Sequence, residues 1–240
     1  MKVCIFTGPT ISAADARLEL EATYLPPVSQ GDVYRAALKH PSAIGIIDGY
    51  FERVPAVWHK EILWAMSRGI HVFGSASMGA LRAAELHVFG MVGVGKIFEA
   101  FHRSELEDDD EVAVAHGPED CGFLSVSEPM VNIRATLTAA ESSGVISAPV
   151  RAALEKTAKS LYYPDRNYKK VIQCAREQSL PAGELKAFES WFPTGRVDQK
   201  REDAVAMLRA MRTLLENYPG PKRVNYLFER THFWKRARRS

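Results

Sequence analysis

A chain of 240 residues, 46% hydrophobic and 25% charged, has room for one large domain or a domain with an appendage, and its composition is that of a soluble globular protein. No apolar run approaches the ~18 residues of a membrane span, and the opening MKVCIFTGP is too short and too soon broken for a signal peptide. The three distant cysteines, Cys4, Cys121 and Cys174, form neither a disulfide framework nor a zinc pattern. A reduced, cytoplasmic protein is expected, with no metal site and no cofactor.

The net charge of +2 hides an asymmetry. Residues 1–150 hold 11 Lys+Arg against 19 Asp+Glu, whereas residues 151–240 hold 20 against 10. The first half suits a basic partner and the second an acidic partner or nucleic acid.

In chain order, Val3-Cys4-Ile5-Phe6 reads as a strand that ends in the turn Thr7-Gly8-Pro9, and residues 14–21 read as a helix. The continuous apolar run 43–47 is expected of a strand buried on both faces; it ends at Asp48-Gly49. Pro55 opens the next predicted helix, where its missing N–H costs nothing, and Gly69 closes it. Val72-Phe73 is the next strand, and residues 80–86 favour a helix. This alternation predicts an α/β fold: a Rossmann-like, mostly parallel sheet flanked by helices.

Residues 106–130 are irregular, 131–142 form a helix, and from about 147 the chain reads as all-helical. Ala204, Met207, Leu208, Met211, Leu214 and Leu215 share one helical face within 198–217. The expected division is an α/β core over 1–146 and a helical, basic region over 147–240.

Ligands of such sheets bind outside the carboxyl ends of the strands. Three readable ends, Thr7-Gly8, Asp48-Gly49 and Ser75-Ala76-Ser77, would share one rim. Ser77, at a strand-to-helix joint, is the candidate nucleophile, since the turn exposes the hydroxyl beside helix N–H groups. Ser75-x-Ser77-x-Gly79 is one residue short of G-x-S-x-G, and a small-residue turn without chemistry fits as well. Lys60 has apolar neighbours on its helix. It is either a lysine with a buried stem and a solvated or paired head, or a partly desolvated amine able to serve as base to Ser77.

Gly90 to Lys96 matches G-x-x-x-x-G-K, but Ile97 stands where the magnesium-ligating Ser or Thr belongs, so a glycine-rich connection is the better reading. The acidic run 107–111 reads as a solvated loop or a docking surface for a basic partner. The basic run 235–239 reads as a ragged terminus, with only a weak case for nucleic acid.

The segment from IGIIDGYFERVPAVWHKEILW through GSASMGALRAAE to MVGVGKIFEAF, followed by EDDDEVAVAHGP and SEPMVNIRATL, resembles the TfuA-like proteins over about residues 44–138. VDQKREDAVAMLRAM, residues 197–211, resembles their C-terminal helix. The resemblance implies action beside a YcaO-type ATP-dependent enzyme in backbone thioamidation. The implied role is hydrolysis of a thiocarboxylated, ThiS-like sulfur-carrier protein by a Ser–Lys pair, releasing hydrosulfide, together with help in engaging the peptide or protein substrate.

On that basis Ser77 and Lys60 are expected as the catalytic pair, with Ser75 the less favoured serine. Met78 and Gly79 are the expected oxyanion donors, Gly8 a further donor, and Asp48 an orienting group. The competing readings are a non-catalytic adaptor that brings carrier and substrate to YcaO, and a Ser–Lys amidase unrelated to sulfur.

Overall fold

The computed structural model describes residues 2–52, 54–217, 220–231 and 234. The chain divides into two compact units, residues 1–107 with 200–240, and residues 108–199. The divisions fall at 107/108 and 199/200, because the last long helix returns to the sheet.

Unit 1 is built on five parallel strands: β1 (Val3–Phe6), β2 (Thr23–Leu25), β3 (Ala43–Ile46), β4 (His71–Gly74) and β5 (Val92–Gly93), in the order β2-β1-β3-β4-β5. Every residue of β1, β3 and β4 is buried, which is why these strands read as unbroken apolar runs. Successive side chains still alternate between faces. Cys4, Phe6, Ile44, Ile46 and Val72 join one core cluster, and Val3, Ile5, Ala43 and Phe73 the other.

The first face is covered by α2 (Asp32–Ala37), α3 (His59–Ser67) and α4 (Met78–Leu86), with Phe98 of α5 (Lys96–His102) packed at its margin. The second is covered by α1 (Ala13–Glu19) and by Ala204, Met207, Leu208 and Met211 of the last helix, which begins at Gln199. Gly45 allows that helix to approach. A Cβ there would stand 2.7 Å from Ile5 Cδ1 and 2.9 Å from Met211 Sδ.

Helix α3 starts at His59, not at Pro55. The Glu61 carboxylate accepts from the Trp58 N–H at 2.8 Å and fixes the first turn there. Residues 220–231 then run back along α3: Lys222 N donates to Gly69 O at 2.8 Å and Tyr226 Oη to Leu63 O at 2.6 Å.

Unit 2 holds α6 (Met130–Ser142), α7 (Ala148–Ser160), α8 (Tyr168–Glu177) and α9 (Ala182–Gly195) around an aliphatic and aromatic core that includes Leu137, Leu154, Leu185 and Phe188. The remaining helix, Gln199–Glu216, is α10. The end of the acidic run is paired within unit 2, while Glu107, Asp108 and Asp109 are exposed. Asp108, Asp110 and Glu111 pair with Lys159, and Arg134 grips Glu111 with two bonds of 2.9 Å. The fully buried Arg166 donates to Asp110 Oδ2 at 2.7 Å.

Burial pushes the Glu111 carboxyl up, but Arg134 and Lys159 outweigh it and hold the group below its ordinary value of 4.5. Such a group contributes stability at pH above its unfolded value and loses that contribution as the pH falls through its folded value. Unit 2 is therefore expected to lose stability progressively as the pH falls below about 4.5. Hydrogen exchange of α6 and α7 amides across pH 3–6 reads this, and Glu111→Gln should flatten the dependence.

Candidate functional site

In a sheet of order 2-1-3-4-5, the connections after β1 and β3 leave in opposite directions, and the crevice between them is the usual ligand position. The ends of β1, β3 and β4 lie side by side here, as their sequence suggested. Asp48, which follows β3, ties the loops together. Its Oδ2 accepts from Gly8 N at 2.9 Å and Thr10 N at 3.0 Å, and its Oδ1 from Thr10 Oγ1 at 2.6 Å.

After β4 the backbone makes a tight reversal. Ala76 has φ +64°, and Ser77 N donates to Ser75 O at 2.7 Å, closing a three-residue γ-turn. A non-glycine residue at positive φ is a local strain that the surrounding packing must hold. Ser77 then occupies the N-cap of α4 yet makes no side-chain capping bond. Serine in that position ordinarily spends its oxygen on the first-turn N–H groups. Here the Ser77 Oγ instead accepts a hydrogen bond of 3.1 Å from Lys200 Nζ.

Lys200 lies in the first turn of α10, 3.8 Å from Asp48 Oδ1. Lys200 and Ser77 are each 3% exposed and Asp48 2%. A hydroxyl, an amine and a carboxylate thus meet in one buried cluster, where charge interactions are stronger than in water.

The other expected site residues make contacts of their own. Lys60 donates to Thr231 Oγ1 at 3.2 Å, with Nζ 5.7 Å from the centre of the Phe228 ring; the C-terminal segment along α3 has captured it. The amine beside Ser77 is Lys200. The Gly8 N–H is committed to Asp48 and the Gly79 N–H to Ile47 O at 3.2 Å, so neither is open to a ligand. The Met78 N–H, at the start of α4, has no acceptor among the described residues. Ser75 is fully buried, and its Oγ has no partner among them either.

The glycine-lysine run opens α5, but its N-terminus is already occupied by a carboxylate. Ile97 N donates to Asp203 Oδ2 at 2.8 Å, and a Cβ on Gly95 would collide with that carboxyl group. A phosphate has no room beside it, which favours the glycine-rich connection. The basic run 235–239 lies outside the described residues. Among those described, no helix is long and apolar enough to cross a membrane.

The sequence carries a signal for Lys200. That lysine precedes Ala204 by four residues and Met207 by seven, on the same buried stripe of α10, where a charge is out of place without a partner.

No curated protein matches the chain. A family model for TfuA-like proteins matches residues 48–167, half of the chain, a span that opens on Asp48 and includes Ser77. The chain belongs to the TfuA-like protein family.

Proposed function

We propose that this protein supports YcaO-dependent backbone thioamidation by hydrolysing a thiocarboxylated, ThiS-like sulfur-carrier protein to release hydrosulfide, with Ser77 as nucleophile and Lys200 as base. The observation that carries the reading is the 3.1 Å bond from Lys200 Nζ to Ser77 Oγ between two buried side chains. It is a nucleophile–base contact within general-base reach.

Neutral Lys200 takes the Ser77 proton as Oγ attacks the thiocarboxylate carbon. The carbon–sulfur bond breaks, the proton passes from Lys200 to the departing sulfur, and an ester to Ser77 remains. Water, deprotonated by Lys200, then cleaves the ester, giving the carrier carboxylate and restoring Ser77. Asp48 holds the lysine head in place and offsets the charge of the ammonium formed during each step. The Met78 N–H is the donor proposed for the oxyanion. The partners of this reading are the YcaO-type ATP-dependent enzyme, the carrier, and the peptide or protein to be thioamidated.

The test is sulfide release from thiocarboxylated carrier by the purified chain, with ordinary peptide amides as comparison substrates. Release from the carrier with an ester trapped on Ser77 supports the hydrolase. An adaptor would release none, yet would stimulate a YcaO enzyme supplied with free sulfide. Cleavage of simple amides at equal rate would return the site to a general amidase.

A further inference from the structure

In the cluster at Ser77 the stronger acceptor does not hold the lysine. A carboxylate is a better acceptor for a lysine head than a hydroxyl is, and such pairs close to about 2.7–2.9 Å. Lys200 Nζ nonetheless stops 3.8 Å from Asp48 Oδ1, beyond hydrogen-bond reach, and lies 3.1 Å from Ser77 Oγ.

Thr10 accounts for the gap. Its Oγ1 donates to the same oxygen, Asp48 Oδ1, at 2.6 Å, the length of a charge-assisted O–H···O− bond. Asp48 Oδ2 is taken by the Gly8 and Thr10 N–H groups at 2.9 and 3.0 Å. The loop after β1 thus supplies the carboxylate with three donors. That loop is itself fixed. Thr7 Oγ1 donates to Ile11 O at 2.8 Å, Ile11 is buried in the core on the second face of the sheet, and Thr10 is 7% exposed.

The charges on the surrounding elements have partners of their own. Residues 7–12 carry none. On α4, Arg82 and Glu85 pair at 2.8 Å, and on α5, Glu99 pairs with Arg103 at 3.2 Å while Lys96 is exposed. On α10 itself, Arg201 pairs with Asp15 at 3.1 Å, and Asp203, one turn on from Lys200, accepts from Ile97 N at 2.8 Å. Asp48 is the buried carboxylate that faces Lys200 from across the crevice, and its distance governs how firmly a proton is held on the amine.

We propose that Thr10 is a positioning residue: its hydroxyl occupies Asp48 Oδ1, holds Lys200 off the carboxylate and so directs the amine to Ser77. A lysine seated on a carboxylate keeps its proton and cannot take another. Held a little apart, the same carboxylate still steadies the ammonium while it exists. The inference rests on the hydrolase reading of this site and adds to it a residue that acts through Asp48.

Thr10→Val keeps the side-chain shape and the backbone bond to Oδ2 and deletes the hydroxyl. Lys200 is then expected to close on Oδ1. The kcat/KM for sulfide release from thiocarboxylated carrier, followed across about pH 6–10, should reach half its plateau about one pH unit higher, which is roughly tenfold less release on the rising limb. Thr10→Ser restores the hydroxyl and should restore the wild-type profile. A purely structural role would lower the melting temperature without moving the profile. Lysine ε-carbon NMR of the full chain, with Lys200 assigned by the signal missing in Lys200→Met, follows the same proton without turnover, and its midpoint should also rise in Thr10→Val.

A rise of both midpoints in Thr10→Val, reversed in Thr10→Ser, supports the proposal. An unchanged Lys200 midpoint in a folded Thr10→Val, or an equal rise in Thr10→Ser, overturns it; Thr10→Ala makes the same deletion where valine does not fold. If the wild type releases no sulfide, the hydrolase reading falls, and the Lys200 midpoint alone decides the role of Thr10.

Discussion

Ser77→Ala is expected to lower sulfide release from thiocarboxylated carrier by roughly 1,000-fold or more, and Lys200→Met to do the same. The two act as one unit, since without Lys200 the hydroxyl keeps its proton and without Ser77 the amine has no nucleophile to activate. The double variant should therefore be no slower than the slower single one. A loss of 1,000-fold is about 4 kcal/mol of transition-state stabilisation.

Neither change should unfold the protein. Ser77→Ala removes one hydrogen bond, and Lys200→Met keeps the volume of the stem while Asp48 retains Gly8 and Thr10 as donors. Lys60→Ala, by contrast, removes a side chain whose partners among the described residues are Thr231 and Phe228, and should leave release within a few-fold of the wild type. Full release by Ser77→Ala, or loss in Lys60→Ala equal to that in Lys200→Met, would falsify the assignment.

The second large effect concerns Gly79. Its Cα faces the carbonyl of Ile46 so closely that an added Cβ would fall onto that oxygen, and the matching Cβ on Gly74 would fall onto the Gly79 carbonyl. Both obstacles are backbone, so no side chain can turn aside. Gly79→Ala must lift the start of α4 off β3 and β4. It should also break the bond from Gly79 N to Ile47 O. A cost of about 3–5 kcal/mol is expected, a large part of the stability of a typical domain. Chemical denaturation of Gly79→Ala beside Gly183→Ala measures this; Gly183 has no neighbour within 4 Å of an added Cβ. Equal midpoints would sink the packing argument.

The strands that carry the site were legible because burial on both faces writes them as apolar runs. The edges were not. β2 is three residues long and part-exposed, and β5 only two, too short to show a period. Likewise α2 has six residues. The rim followed from topology alone, and so did Ser77 and Asp48. The contact with Lys200 did not, because a lysine's local apolar neighbours say little about what its head reaches. Lys60 sits among apolar positions of its helix, and Lys200 precedes Ala204 and Met207 on the apolar stripe of α10. What separates them is that one helix lies beside the C-terminal segment and the other crosses the sheet to the crevice, information held in tertiary packing. Asp203 was hidden in the same way, as a second charge on the buried stripe of α10 that caps a distant helix.

The hydrogen bond at the site joins residues 123 positions apart, with all of unit 2 spelled out between them. During synthesis Ser77 therefore emerges long before Lys200. Until α10 is made, one side of the sheet lacks the Met207 and Met211 that cover Gly45 and Ile5, so that face of the nascent chain is open and adhesive. The partner of Ser77 and the cover of that face arrive together with the same helix.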